Sequence, residues 1–574
     1  MATKHSLSRR DFLKIAAIGA GGALLPSCAP ASSGPIVTPV PGTVPTLPAG
    51  SVAEKILHNG KILTVNGTNA IAQALAISGG QILQVGTDSE ILALAQPATQ
   101  TIDLGKRVVT PGLIDTHFHF LYFGQKFGYF NTYTPPEVTN KQELVEALAE
   151  TVAQTPPGEW IQGYFMFADM PNRYDLDAVS PDNPVWVFYM AGHVGTANSV
   201  ALELAGMADT APQVEGGIVE VDASGKPTGI FYNHPAMNLL RAFVPAYTGE
   251  MAIENFPQTQ QLMASTGVTT FHDNNVYDFG LLRAYQQFSA SGENSLRASI
   301  YAVVERAEDV EYVLQIPHYE DALTRFAGFK FLIDGQLPMA YCHEPHNGIS
   351  WNTPTWDPDD YKRAVRTFHD TGMQICTHCV GDAAVDLALD AYEEAMNANP
   401  RSDPRHRIEH AILTKPEATQ RIKDLGVALS VQPHFIYWAG PYYEQYFGEE
   451  RARRVIVTRE WMDAGIPIAL SSDAPTMPQY TPQFTLAGAI SRMTTENKKY
   501  NPEQCLTFEE SLRAHTMNAA YIGHEENTKG SLETGKLADL VVWSEDPRKL
   551  NTRELAMTTI DMTMISGEVI YEKQ

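Results

Sequence analysis

Eight short apolar runs rich in β-forming residues recur along the chain, at 112–119, 268–273, 296–304, 328–334, 373–379, 406–411, 427–432 and 466–473, with helical stretches between them. Strands separated by helices are joined by crossovers, so they pair in parallel and are covered by helices. An open doubly wound sheet can be built from the same units, but the Gly-rich phosphate turn that would support it is missing. The expected fold is therefore α/β, a TIM-like (β/α)8 barrel over 110–529. The stretch 120–267 is far longer than one crossover helix and carries its own strand candidate at 185–189, so it reads as an insertion subdomain after the first strand.

The two ends of the chain share a different pattern. Lys55-Ile56-Leu57, Lys61-Ile62-Leu63-Thr64-Val65 and Gln81-Ile82-Leu83-Gln84-Val85 are strand signals punctuated by Asn59-Gly60 and Gly79-Gly80. Asn-Gly is a strong hairpin cue. Similar runs return at 539–543 and 562–571, so 54–109 and 530–574 are expected to form one small β-sandwich. Ahead of them, Ser8-Arg9-Arg10-Asp11-Phe12-Leu13-Lys14 resembles a twin-arginine export signal, followed by a weakly apolar stretch at 15–25 that is too short to span a bilayer. Leu25-Pro26-Ser27-Cys28 looks like a lipoprotein cleavage box despite Pro26, with Ala29-Pro30-Ala31 as a competing site for ordinary cleavage. The expectation is a signal at 1–31, a Pro-rich linker at 32–53 and a periplasmic or lipid-anchored bacterial protein, the anchor sitting on Cys28.

With 41 Lys+Arg against 66 Asp+Glu the formal net charge is -25, which argues against nucleic acid or an anionic membrane as partner and leaves a small-molecule substrate. Cys376 and Cys379 form a CxxC, but they lie on a strand run at odd spacing and so point to opposite faces; no second pair completes a zinc knuckle. They read as packing.

The chemistry begins at Pro111-Gly112-Leu113-Ile114-Asp115-Thr116-His117-Phe118-His119. Two histidines two apart on a strand leave the same face and can meet one ion. A lone HxH is weak, and each further candidate has a structural explanation of its own: a buried bonded imidazole for His378, a pair with Glu409 for His410, a turn cap for Asp473. Yet all three end strand runs, and ligands drawn from the C-terminal ends of different strands are how this barrel builds active sites.

These segments, with Gly192-His193-Val194-Gly195-Thr196-Ala197-Asn198-Ser199, Thr377-His378-Cys379-Val380-Gly381-Asp382 and Leu532-Glu533-Thr534-Gly535-Lys536-Leu537-Ala538-Asp539-Leu540, resemble the amidohydrolase superfamily and its branch containing the N-substituted formamide deformylases. The resemblance implies one or two divalent ions, commonly zinc. His117, His119 and Asp473 would hold one, His378 and His410 the other, with Lys330 as a bridge if carbamylated. It implies hydrolysis of an amide, N-acyl or cyclic C–N bond, with Asp473 as both ligand and general base. His193 and His272 are candidates for substrate binding or for donating to the oxyanion; Gln432 and His434 are weaker ones. The chain departs from the branch at Gln336-Leu337-Pro338-Met339-Ala340-Tyr341-Cys342 and at Cys379-Val380, which bears on the substrate. Competing readings are a metal-dependent isomerase, a lactone or ester hydrolase on the same site, and a non-enzymatic binding protein on a decayed barrel. The last predicts missing ligands. A homo-oligomer is compatible with all of them.

Overall fold

The computed structural model describes residues 47, 50–167, 169–345 and 353–574. The export signal, Cys28 and nearly all of the linker lie outside the described residues. Eight parallel strands form one sheet: β1 (Leu113–Phe118), β2 (Val268–Val276), β3 (Arg297–Val304), β4 (Thr324–Leu332), β5 (Gln374–Cys379), β6 (Arg407–His410), β7 (Ala428–Val431) and β8 (Ile468–Leu470). All eight runs read from the sequence are present, in sequence order. Beyond the end of β8 the seam is drawn together: Asp473 N donates to His117 O (2.8 Å) and Ser472 N to the Asp115 carboxylate (3.0 Å).

The strands are buried on both faces because helices cover the outside and side chains fill the inside. Outside, Phe329 and Phe331 of β4 pack on Phe368 of the helix Pro358–Asp370. Inside, the filling is unusually polar. Arg407, fully buried, donates to His272 Nδ1 (2.8 Å), Tyr301 Oη (3.2 Å) and Thr116 O (2.7 Å). A guanidinium has five donors, and each donor left unpaired there would cost the full desolvation of that group.

Strands from both ends of the chain share a six-stranded sheet, in which Leu540–Trp543 pairs antiparallel with Val108–Pro111. A four-stranded sheet packs against it through Leu57, Leu75, Ile77 and Ile82, which meet Val109, Leu540 and Met564. Gly79-Gly80 makes the expected hairpin between Ala74–Ser78 and Gln81–Gly86. Asn59-Gly60 does not: Lys55–His58 and Lys61–Leu63 lie in different sheets, so this dipeptide turns the corner between them. Gly60 leaves room there for Leu104, since a Cβ would stand 2.4 Å from its Cδ1 and push that buried side chain aside. Within 120–267, six strands form a mixed sheet in which 185–189 is central, while the helix Gly249–Ser265 packs its Phe256 and Met263 into the barrel's core and leads into β2.

Candidate metal centre

His117 and Asp115 share the inner face of β1, and His119 follows where the strand has ended. Across the seam, Asp473 Oδ1 lies 2.8 Å from His119 Nε2 and 3.2 Å from His117 Nε2. The ligand atoms of these three residues all lie within 4.8 Å of one another. Behind them, His117 Nδ1 lies 2.5 Å from Glu409 Oε2, and the other oxygen of Glu409 accepts from Arg407 Nε (2.8 Å). That bond puts the imidazole proton on Nδ1 and turns the Nε2 lone pair toward Asp473. Burial pushes the Asp473 carboxyl up, but His117 and His119 outweigh it and hold the group well below its ordinary range.

His378 on β5 and His410 on β6 complete a ring of imidazoles, with centroids 4.5 Å apart and His410 4.7 Å from His117. His410 Nδ1 lies 2.8 Å from Gln432 Oε1, whose amide in turn donates to Ser471. Gln432 is thus the group that orients His410. Lys330 Nζ stands 3.4 Å from His117 Nε2, and burial holds its ammonium form below the ordinary range.

These donors suit a divalent ion on their own chemistry. His119 Nδ1 and His378 Nε2 are buried with no hydrogen-bond partner among the described residues, and burial holds His119 down to about 4 and His378 well below its usual value. Neutral imidazoles with spare lone pairs around one carboxylate are a metal-binding set rather than a satisfied core.

Strand alternation would send Glu409 and His410 to opposite faces, yet both reach this site. The backbone explains it: His410 (φ 70°), Ala411 (φ 47°) and Asp473 (φ 56°) are all left-handed. Such conformations cost about 1–3 kcal/mol each and persist where the surroundings enforce them. At His410 and Ala411 they also end β6 one residue earlier than the apolar run suggested.

Beside the histidine–aspartate cluster opens a cleft of ≈ 540 Å³ including its mouth, lined by His193, His378, His410 and Asp473. Its other walls are Leu337, Val380, Ile412, Phe435, Tyr443 and Met477. Leu337 and Val380, with Gln336, are among the departures noted in the sequence. His193 comes in from the insertion, its ring tilted against that of His378 with centroids 5.1 Å apart. The insertion's aromatics instead pack together, as Tyr122, Tyr164 and Phe188 do.

His272 is not brought to the cleft. It sits lower in the barrel, bonded to Arg407, with its Nε2 buried beside Gly523. Alternation on β2 turns it inward, but its register, opposite Ser299 rather than the end of β3, leaves it below the ligands. His434 is buried beside Phe435 and Phe484.

The layer around His272 makes a pH-dependent contribution. Glu525 pairs with Lys529 (2.6 Å) and Arg325 (3.5 Å), and although burial pushes its carboxyl up, those cations hold it down to about 2 from an ordinary 4.5. A carboxyl lowered in the folded state stabilises above the unfolded value and loses that contribution as pH falls through the folded one. About 3 kcal/mol should vanish between pH 4.5 and about 2. Glu525→Gln should be less stable at neutral pH and show a shallower acid limb in thermal denaturation; an unchanged slope would refute this.

The sequence model of the Amidohydrolase family matches residues 100–571. The chain belongs to the amidohydrolase family. It is 29% identical over 544 residues to the N-substituted formamide deformylase of Arthrobacter pascens, covering 90% of this chain and 98% of that one. It is 28% identical over 555 residues to Protein LONG AFTER FAR-RED 3 of Arabidopsis thaliana, covering 92% and 93%. An uncharacterized metal-dependent hydrolase from Pyrococcus furiosus superposes with a TM-score of 0.68 at 26% identity, covering 86% of this chain and all of that one. Its counterpart from Pyrococcus horikoshii OT3, with a TM-score of 0.70 at 24% identity and covering 87% and 99%, shares the fold. This amidohydrolase is therefore a metal-dependent hydrolase acting on carbon–nitrogen bonds other than peptide bonds, working with a divalent metal. Arg407 and Asp115 are the amidohydrolase's supporting residues that the sequence reading passed over; two-residue spacing to Glu409 and to His117 was the available signal.

Proposed function

We propose that this amidohydrolase cleaves an amide, N-acyl or cyclic amide bond of a small molecule with an apolar group, using zinc. The observation that carries this reading is the convergence of His117, His119, His378, His410 and Asp473 at the foot of an apolar-walled cleft. His117, His119 and Asp473 would hold one ion, and His378 and His410 a second. Lys330 would bridge them once its neutral amine has added carbon dioxide, because an ammonium has no lone pair to offer. Bound zinc supplies Lewis acidity to the carbonyl and brings the pKa of water to about 7. Asp473 takes the proton from water and passes it to the leaving nitrogen; its Oδ2, held by the Thr476 hydroxyl at 2.9 Å, is the oxygen turned away from the histidines. His193 donates to the developing oxyanion. The name of the relative that acts on N-substituted formamides supports an acylated amine as substrate, and Gln336, Leu337 and Val380 would set which acyl group enters.

The test is metal analysis after native purification followed by hydrolysis of N-formyl compounds, acyl amino acids and lactones in ¹⁸O-labelled water. We expect at least about one divalent ion per chain, loss of turnover on chelation, recovery with zinc, and label in the product of the C–N substrates. A metal-free active protein, or turnover confined to lactones, refutes the reading. We also propose export by the twin-arginine route with a lipid on Cys28; the mature protein should then carry a diacylglycerol-sized mass increment, and an unmodified mass would refute the anchor.

A further inference from the structure

Against His193 lies a second cavity whose walls include Asn233, His234, Asn238, Glu305, Arg306 and Asp334, the last with its Oδ1 3.6 Å from His378 Nε2. His193 is common to both cavities. The ring of His378 lies 5.1 Å from that of His193, and His193 lies 5.1 Å from His234, so His234 in the second cavity stands two imidazole steps from the ligand cluster.

Its polar groups are mostly acceptors. Glu305 Oε1 accepts from His234 Nδ1 (3.0 Å) and Oε2 from Asn238 Nδ2 (3.1 Å). Each carboxylate oxygen keeps a further lone pair, and the His234 proton on Nδ1 leaves Nε2 as an acceptor. Asn233 is fully buried at the head of the helix Asn233–Arg241, and its Oδ1 has no hydrogen-bond partner among the described residues.

The charge balance is as one-sided. Among the described residues no Lys or Arg nitrogen comes within 4.0 Å of Glu305, and His234 is its ion-pair partner. Burial holds that imidazole below its ordinary range, so at neutral pH the pair carries one negative charge. The nearby guanidiniums are directed elsewhere, Arg306 to Asp309 (3.5 Å) and Arg241 to Asn238 Oδ1 (3.4 Å). Burial pushes the Glu305 carboxyl up, and His234 and Arg241 already hold it below its ordinary range, but among the described residues no cation bonds it directly, and a direct ammonium contact would offset more of the desolvation of this largely buried carboxylate.

We propose that this second cavity is a substrate subsite for a protonated amine, whose N–H groups are received by Glu305 and His234. The inference rests on the proposed C–N hydrolysis for its connection to catalysis, and it narrows the substrate class to acylated amines that carry a second, protonated amino group. The two ring-to-ring steps set the length of the arm, a span covered by an amide followed by about four methylenes. Such a substrate lies with its carbonyl at the ligand cluster and its ammonium past His193, while the apolar cleft takes the acyl side.

The test compares N-acetyl-1,4-diaminobutane with its uncharged isostere N-pentylacetamide, by calorimetric titration and by kcat/KM, on the metal-loaded full-length protein. The ammonium compound should bind at least ten-fold tighter to wild type. Glu305→Gln, which keeps the shape and removes the charge, should erase the difference, with circular dichroism and metal content confirming an intact fold. Equal affinities in wild type overturn the proposal without recourse to any variant, as does a preference that survives in a folded Glu305→Gln. If the preference holds and neither compound is cleaved, the subsite stands and the reading of the scissile bond fails; cleavage of both without preference sinks the subsite alone.

Discussion

Asp473→Asn is expected to lower kcat/KM by about 10³-fold or more while leaving the chain folded. In the proposed mechanism the position has two jobs that an amide cannot do. Its Oδ1 faces both His117 Nε2 and His119 Nε2, where it supplies the negative charge of the cluster, its Oδ2 accepts from the Thr476 hydroxyl, and the residue lines the cleft where a proton must be moved. Proton transfer by a positioned side chain contributes typically 10²–10⁴-fold, and the loss of an anionic ligand adds to that. The fold should survive because the replacement has the same shape. The backbone N–H to His117 O is retained, an amide oxygen still accepts from Thr476, and asparagine tolerates the left-handed conformation at this position. The measurement pairs steady-state kinetics with metal content and melting temperature. Activity within ten-fold of wild type would remove Asp473 from the mechanism; an unfolded variant would show that its main role is to close the barrel seam.

The barrel was legible because its signal is redundant. Eight apolar runs, each buried on both faces, need no long-range information to be recognised, and five of the candidate residues stand at or near their ends. What a period-2 reading could not supply is where the period stops. His410 and Glu409 are neighbours that alternation places on opposite faces, and only the left-handed backbone at His410 and Ala411 lets both serve the site. His272 failed in the opposite sense: alternation correctly turned it inward, but depth along the barrel axis depends on register between strands, which no single strand encodes. Asn59-Gly60 misled for a related reason, since a turn dipeptide specifies a change of direction and not which sheet receives the next strand. Gln432 became intelligible only with its partner His410 in view, because an amide's role is set by what it bonds.

The largest stability effect is expected at Glu409, which neither touches the cleft nor serves as a ligand. Its carboxylate is fully buried between Arg407 and His117, and the pull of Arg407 more than offsets the upward push of burial, so it stays ionised. Glu409→Gln leaves the Arg407 guanidinium charged inside the barrel with neutral neighbours. Breaking a buried pair this way costs about 3–5 kcal/mol. The same change weakens the acceptor on His117 Nδ1, and loss of such an orienting partner typically lowers metal affinity 10–100-fold. Two independent measurements follow: a lower denaturation midpoint in the metal-free protein, and weaker zinc retention against a chelator. Adding Arg407→Met should recover much of the stability, since the uncompensated charge goes with it, but should leave zinc binding impaired because His117 still lacks its carboxylate. The divergence separates the two roles. If Glu409→Gln matched wild type in both, the triad would be a spectator; if the double variant recovered zinc binding along with stability, the carboxylate would act on the metal centre only through the fold.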